Sequence, residues 1–175
     1  IFCMGYTLVL SLLYIAQLIM SYLKLKQDKK RMPASDYGEY ADSENLLPIS
    51  LVVPAHNEQE NIIKNIEELL KLNYPQFELI VVNDGSTDHT HQSIIDRFKL
   101  KKIQYSIKVS IPTKDIRAVY YNFEYPNLIY VDKERGGKSD ALNAGINVSS
   151  YPLFACLDAD SRLEKDSLLK LSTEF

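Results

Sequence analysis

Asp158, Ala159 and Asp160 place two carboxylates two residues apart, directly after the apolar run Leu153 to Leu157. Two like charges at a strand end are costly unless a cation neutralises them. Mg2+ or Mn2+, held by one or two carboxylates together with substrate phosphates, is the expected compensation. The same residues also fit a turn whose aspartates cap the helical pattern from Leu163 to Leu171.

Three upstream segments carry comparable chemistry. Between Asp132 and Asn143, the paired glycines Gly136 and Gly137 let backbone approach a ligand closely. Lys138 then brings a positive charge to a helix N-terminus, a place suited to a pyrophosphate. The spacing is not that of a P-loop, and a solvated loop fits it too. In Asn83-Asp84-Gly85-Ser86-Thr87-Asp88, Asp84 stands at a strand terminus and can accept a hydrogen bond from a base imide or a ribose hydroxyl. Turn chemistry, with Ser86 or Thr87 capping the next helix, is the alternative. Pro54-Ala55-His56-Asn57-Glu58 ends a strand and leads into a helix whose free N–H groups can face an anion or a base. Glu58 sits where the helix dipole favours a carboxylate, so a simple cap explains it equally well. His89 and His91 are two residues apart, point apart on a helix and make no metal face.

These loops need a scaffold that brings them to one place. Ile49 to Val53, Phe77 to Val82, Leu128 to Val131 and Leu153 to Leu157 are short apolar runs that read as strands, the first rich in branched residues and the second buried. Helical patterns over Asn61 to Leu72, Asp88 to Phe98 and Ser139 to Asn147 alternate with them. That alternation indicates βαβ units and a mostly parallel sheet, an α/β fold. Ligands of such sheets bind beyond the carboxyl ends of the strands, and every motif above falls there. From Ile103 to Ile111 apolar and polar residues alternate with period two, and Ile116 to Phe123 could return as a second strand. An inserted β-hairpin over 103–123 is expected, its lysines those of a solvated edge rather than of a nucleic-acid surface.

Residues 1–23 contain no charged side chain, a length suited to crossing the bilayer core as a helix. Lys24, Lys26, Lys29, Lys30 and Arg31 follow, opposed only by Asp28. Cationic flanks stay on the cytoplasmic side, so the remainder is expected at the membrane with its domain in the cytoplasm. A basic and then polar linker is expected over residues 24–48. The 175 residues suit one domain, here 49–175, with that appendage. The formal net charge of -3 exerts no pull toward nucleic acid, and two cysteines make no disulfide framework. Ile1 at the start and a helical pattern running into Phe175 suggest a piece of a longer chain.

In their order, Val53 to Glu58, Asn83 to Ser86, Gly136 to Gly145 and Asp158 to Asp160 closely resemble family 2 glycosyltransferases of the GT-A fold. The resemblance covers Ile49 to Phe175. It is strongest to the membrane-embedded group of poly-N-acetylglucosamine, hyaluronan, chitin and cellulose synthases. His56 stands where many members have Tyr. The resemblance implies that Pro54, Ala55, Glu58 and Asp84 hold the uracil and ribose of a UDP-sugar. It places Lys138 and Asp140 near the diphosphate and uridine, Asp158 on the nucleotide-sugar and Asp160 on a Mg2+ or Mn2+ ion. The implied reaction is inverting transfer to a glycan or lipid-linked acceptor. Its catalytic base, and the family's Gln-x-x-Arg-Trp acceptor motif, are expected beyond Phe175; the chain contains no Trp. The fragment alone is expected to bind donor without transferring sugar. Three rivals stand beside this reading. One is an enzyme charging a polyprenyl phosphate with a single sugar. Another is a sugar nucleotidyltransferase, which needs a Gly-rich first loop. The last is a donor-binding sensor without catalysis.

Overall fold

The chain's structure, a computed structural model, describes residues 2–31, 46–107 and 109–172. The chain divides into two units, Ile1–Tyr40 and Ala41–Phe175. In the first, helix α1 runs from Phe2 to Arg31. Its segment Met4–Lys26 is long and apolar enough to cross a membrane, its 23 residues spanning about 34 Å. The helix continues through residues 24–31, which the sequence had suggested were linker. Leu25, Gln27 and the lysines are good helix formers, and no Gly or Pro falls between Leu23 and Arg31. The rest of the expected linker, residues 32–45, lies outside the described residues.

The second unit is built on two strands that are buried almost throughout, β1 (Ile49–Ala55) and β2 (Phe77–Asp84). Parallel strands covered on both faces read as continuous apolar runs, which is how these two read. With β3 (Lys101–Ile103), β4 (Ile116–Tyr121), β5 (Leu128–Lys133) and β6 (Leu153–Cys156) they form a six-stranded sheet of order β3-β4-β5-β2-β1-β6. β5, β2, β1 and β6 are mutually parallel, and β4 and β3 continue the sheet antiparallel. The mostly parallel α/β architecture expected from the sequence is thus present. β1 has β2 on one side and β6 on the other, so the chain reverses its winding there, and a crevice opens beyond the strand ends.

Helices cover both faces. Val52, Ile80, Val82 and Val131 pack with Ala141, Ala144 and Val148 of α4 (Lys138–Val148). A methyl group on Gly145 would overlap Val52, so only glycine lets α4 lie this close to the sheet. Side chains alternate along a strand, so Leu51, Val53, Leu79 and Val81 are buried on the opposite face. α2 (Ile62–Leu69) and α3 (Thr90–Phe98) bury Ile62, Ile66, Leu69, Ile94 and Phe98. A short α5 (Ser167–Ser172) closes the described chain, shorter than the expected Leu163 to Leu171 pattern.

The hairpin expected over 103–123 needs correction. Of residues 101–115 only Lys101–Ile103 pairs with β4, and the described residues 104–107 and 109–115 leave the sheet as irregular chain over α4. Ile103, Tyr105 and Ile107 face the α4 core, which explains the period of two without a partner strand. Asn147 replaces that partner. Its side chain accepts from the Ser110 and Ile111 N–H groups at 2.9 and 3.0 Å and donates to the Ile111 carbonyl at 2.7 Å. Tyr105 adds a bond from its hydroxyl to the Val148 carbonyl at 3.0 Å.

Candidate functional site

The loops after β1 and β2 are laced together by short polar side chains. Asn57 takes the left-handed conformation (φ 56°), which Asn tolerates better than most residues. Its Oδ1 accepts from the Thr87 N–H at 2.8 Å, and its own N–H donates to Ser86 Oγ at 3.0 Å. The Glu58 N–H donates to Thr90 Oγ1 at 2.8 Å. Asp88 accepts from the N–H groups of Thr90 and Gln59, so it takes the capping role suggested for Ser86 or Thr87. His56 Nδ1 donates to the Asp84 carbonyl at 2.9 Å, which ties the first loop to the end of β2.

Asp84 is almost wholly buried, and its partners explain why a carboxylate is tolerated there. Oδ1 accepts from Lys133 Nζ and from the Gly136 N–H, each at 2.8 Å, and Oδ2 accepts from the Gly137 N–H at 2.7 Å. Burial alone raises the Asp84 pKa; the Lys133 ammonium and the two glycine N–H groups outweigh it and hold the pKa below the usual carboxylate value. Lys133 is fully buried at the end of β5. Its ammonium also meets Asp140 Oδ2 at 2.6 Å and the Glu134 carbonyl, so all three of its donors are used.

Asp140, on the first turn of α4, is held from the other side. Oδ2 accepts from Thr113 Oγ1 at 2.9 Å and Oδ1 from the Lys114 N–H at 3.0 Å. Burial raises its pKa, and Lys133, Thr113 and Lys114 together bring it below the usual value. A methyl group on Gly136 would overlap this carboxylate. Gly136 is required by that approach, and Gly137 by its positive φ of 91°. The N–H groups of both donate to Asp84.

Beyond β6 the chain alternates: Ala159 is buried, and Asp158 and Asp160 are exposed. Asn65 of α2 anchors the turn by donating to the Ala159 carbonyl at 2.6 Å. Asp158 pairs with Lys138, and both side chains are more than half exposed.

Pro54, Ala55, His56, Glu58, Asp84, Lys138, Asp158, Ala159 and Asp160 line one cleft of about 270 Å3 at the carboxyl ends of β1, β2 and β6. Of the site residues that the resemblance implied, all border it except Asp140, whose carboxylate is bonded to Lys133, Thr113 and Lys114. A larger hollow of about 520 Å3 lies between α2 and residues 159–163, and of the expected site residues only Asp160 borders it. Among the described residues no three His, Cys, Asp or Glu side chains gather as a metal cage. The two carboxylates of Asp158 and Asp160 in an open cleft instead fit a hard divalent ion that keeps positions for phosphate oxygens and water. Sequence reasoning missed Lys133, whose only signal is a lysine ending the apolar strand Leu128 to Val131. It also missed Asn57 as the lace between loops.

Comparison with known proteins agrees with this arrangement. The model of glycosyl transferase family 2 matches residues 50–110 and 108–175. The poly-beta-1,6-N-acetyl-D-glucosamine synthase of Staphylococcus epidermidis is 31% identical over 127 residues, covering 73% of this chain and 25% of that protein. The synthase of the same name from Staphylococcus aureus is 33% identical over 120 residues, covering 68% and 23%. The chain thus spans about a quarter of the length of the curated relatives it matches. Two solved structures share the fold. TarS 1-349 of S. aureus in complex with UDP-GlcNAc has a TM-score of 0.52 at 21% identity, over 73% of this chain and 30% of that one. The mannosyltransferase PcManGT from Pyrobaculum calidifontis, in complex with GDP-Man and Mn2+, gives 0.53 at 20%, over 76% and 36%. The order of strands and loops, the cleft at their ends and these matches together place the chain in glycosyl transferase family 2, with a GT-A fold.

Proposed function

We propose that this chain forms the donor-binding part of an inverting glycosyltransferase that transfers sugar from a UDP-sugar to a growing polysaccharide at the membrane. The observation that carries this reading is the single cleft lined by Pro54, Ala55, Glu58, Asp84, Lys138, Asp158 and Asp160. Asp84, kept ionised by Lys133, offers an acceptor to the base. Pro54 and Ala55 would supply an apolar wall for its ring, and Glu58, which borders the same cleft, would meet the ribose. Asp158 and Asp160 would hold Mg2+ or Mn2+, which when bound neutralises charge on the diphosphate. Lys138 adds a positive charge at the same end, where a departing nucleoside diphosphate develops negative charge. Its pairing with Asp158 is solvent-exposed and contributes at most about 1 kcal/mol, so its opening readily frees both groups for the donor. None of these residues is assigned as the base that deprotonates the acceptor.

The names of the relatives support polysaccharide synthesis, and the UDP-GlcNAc bound by TarS supports a UDP-sugar donor. The apolar α1 with its basic end supports a membrane setting with the domain on the cytoplasmic side. The test is release of UDP from UDP-sugars by the intact protein in membranes, with and without Mn2+. Turnover that requires the ion supports the reading, and indifference to every UDP-sugar overturns it.

A further inference from the structure

Lys133 does not line the cleft, yet it controls the group that does. An ionised carboxylate has about four acceptor sites. On Asp84, Lys133 Nζ and the Gly136 N–H fill both sites of Oδ1, and the Gly137 N–H fills one of Oδ2. One acceptor site on Oδ2 is left for a ligand in the cleft. Resting on the nucleotide-sugar reading above, we infer that Lys133 is a positioning residue that selects the base. By fixing Asp84 with a single acceptor to spare, it suits a base edge offering one N–H and disfavours one offering two.

Uracil presents a single imide N–H between two carbonyls. Guanine presents an N1–H and an adjacent amino group, a pair that needs both oxygens of a carboxylate. With Oδ1 saturated, the second guanine donor finds no acceptor on the buried Asp84 carboxylate. A desolvated donor without a partner costs on the order of tenfold in affinity. The Lys133 ammonium also prevents Asp84 from taking up a proton and becoming a donor itself. Its location is suited to nothing else in the cleft: it is fully buried, and its remaining bonds go to Asp140 and the Glu134 carbonyl.

The test measures Kd by calorimetry on the intact protein in detergent with Mn2+, for UDP, N3-methyl-UDP and GDP at one pH of about 7.5, where the diphosphates are fully ionised. The wild type is expected to bind UDP about tenfold or more tighter than either of the others. Lys133→Met is expected to lose most of the preference for UDP over GDP while keeping the preference over N3-methyl-UDP, because it frees an acceptor site on Oδ1. Lys133→Arg is expected to restore part of the preference. Equal wild-type affinity for UDP and N3-methyl-UDP overturns the assignment without any variant. So does a Lys133→Met protein that keeps the full wild-type preference for UDP over GDP. If the wild type binds neither UDP nor GDP, the nucleotide-sugar reading itself fails.

Discussion

Replacing Asp140 by Asn separates two roles for a residue that family resemblance places near the donor and the structure places beside it. The change removes the charge that faces Lys133 Nζ at 2.6 Å and brings an amide toward the ammonium and the Thr113 hydroxyl. The Lys114 N–H keeps its acceptor in Oδ1. Removing one partner of a fully buried pair costs about 3–5 kcal/mol. Asp140 is 21% exposed and Lys133 keeps Asp84, so a loss of about 2 kcal/mol is expected. That is within the stability of an ordinary domain, and it lowers a urea midpoint by roughly 1 M. The chain has no Trp, so unfolding is followed by far-UV circular dichroism. UDP affinity should fall by no more than about threefold, below 1 kcal/mol. An unchanged midpoint with affinity lost tenfold or more (about 1.4 kcal/mol) would show that the carboxylate touches the donor and that its clamp is incidental.

Gly145→Ala drives a methyl group into Val52 and should destabilise the domain by about 1–3 kcal/mol, read from the same unfolding curves. Asn147→Leu removes the side chain that bonds Ser110 and Ile111, and hydrogen exchange at those two amides should speed by tenfold or more, about 1.4 kcal/mol of lost protection. Asp84 and Asp140 have folded-state pKa values below their unfolded ones. Their contribution to stability is therefore complete above the unfolded value of about 3.9 and is lost as pH falls through the folded values. An acid titration followed by circular dichroism should show that limb, and Asp140→Asn should make it shallower.

Much of this was legible from residue order. Ile49 to Val53 and Phe77 to Val82 are too apolar and branched to be anything but buried strands, and each delivers a polar motif at its carboxyl end. Asp158 and Asp160 could be placed because Leu153 to Leu157 aims them at the same edge. What could not be read is how polar groups pair across distant loops. Lys133 looks like the solvated end of a strand until β2 and α4 bring Asp84 and Asp140 to it. The hairpin over 103–123 was over-extended because alternation reports an extended chain with one covered face, and α4 covers that face as well as a strand would. Asp140 was assigned to the donor on its place in a motif, whereas Lys133, Thr113 and Lys114 claim its oxygens.

The central claim is that the cleft holds a nucleotide-sugar through an ion on Asp158 and Asp160. The most direct measurement is UDP binding by the intact protein with and without Mn2+, for the wild type and Asp160→Asn. Saturable binding that requires the ion in the wild type and disappears in Asp160→Asn is the predicted result. Undiminished, Mn2+-dependent binding by Asp160→Asn would contradict it.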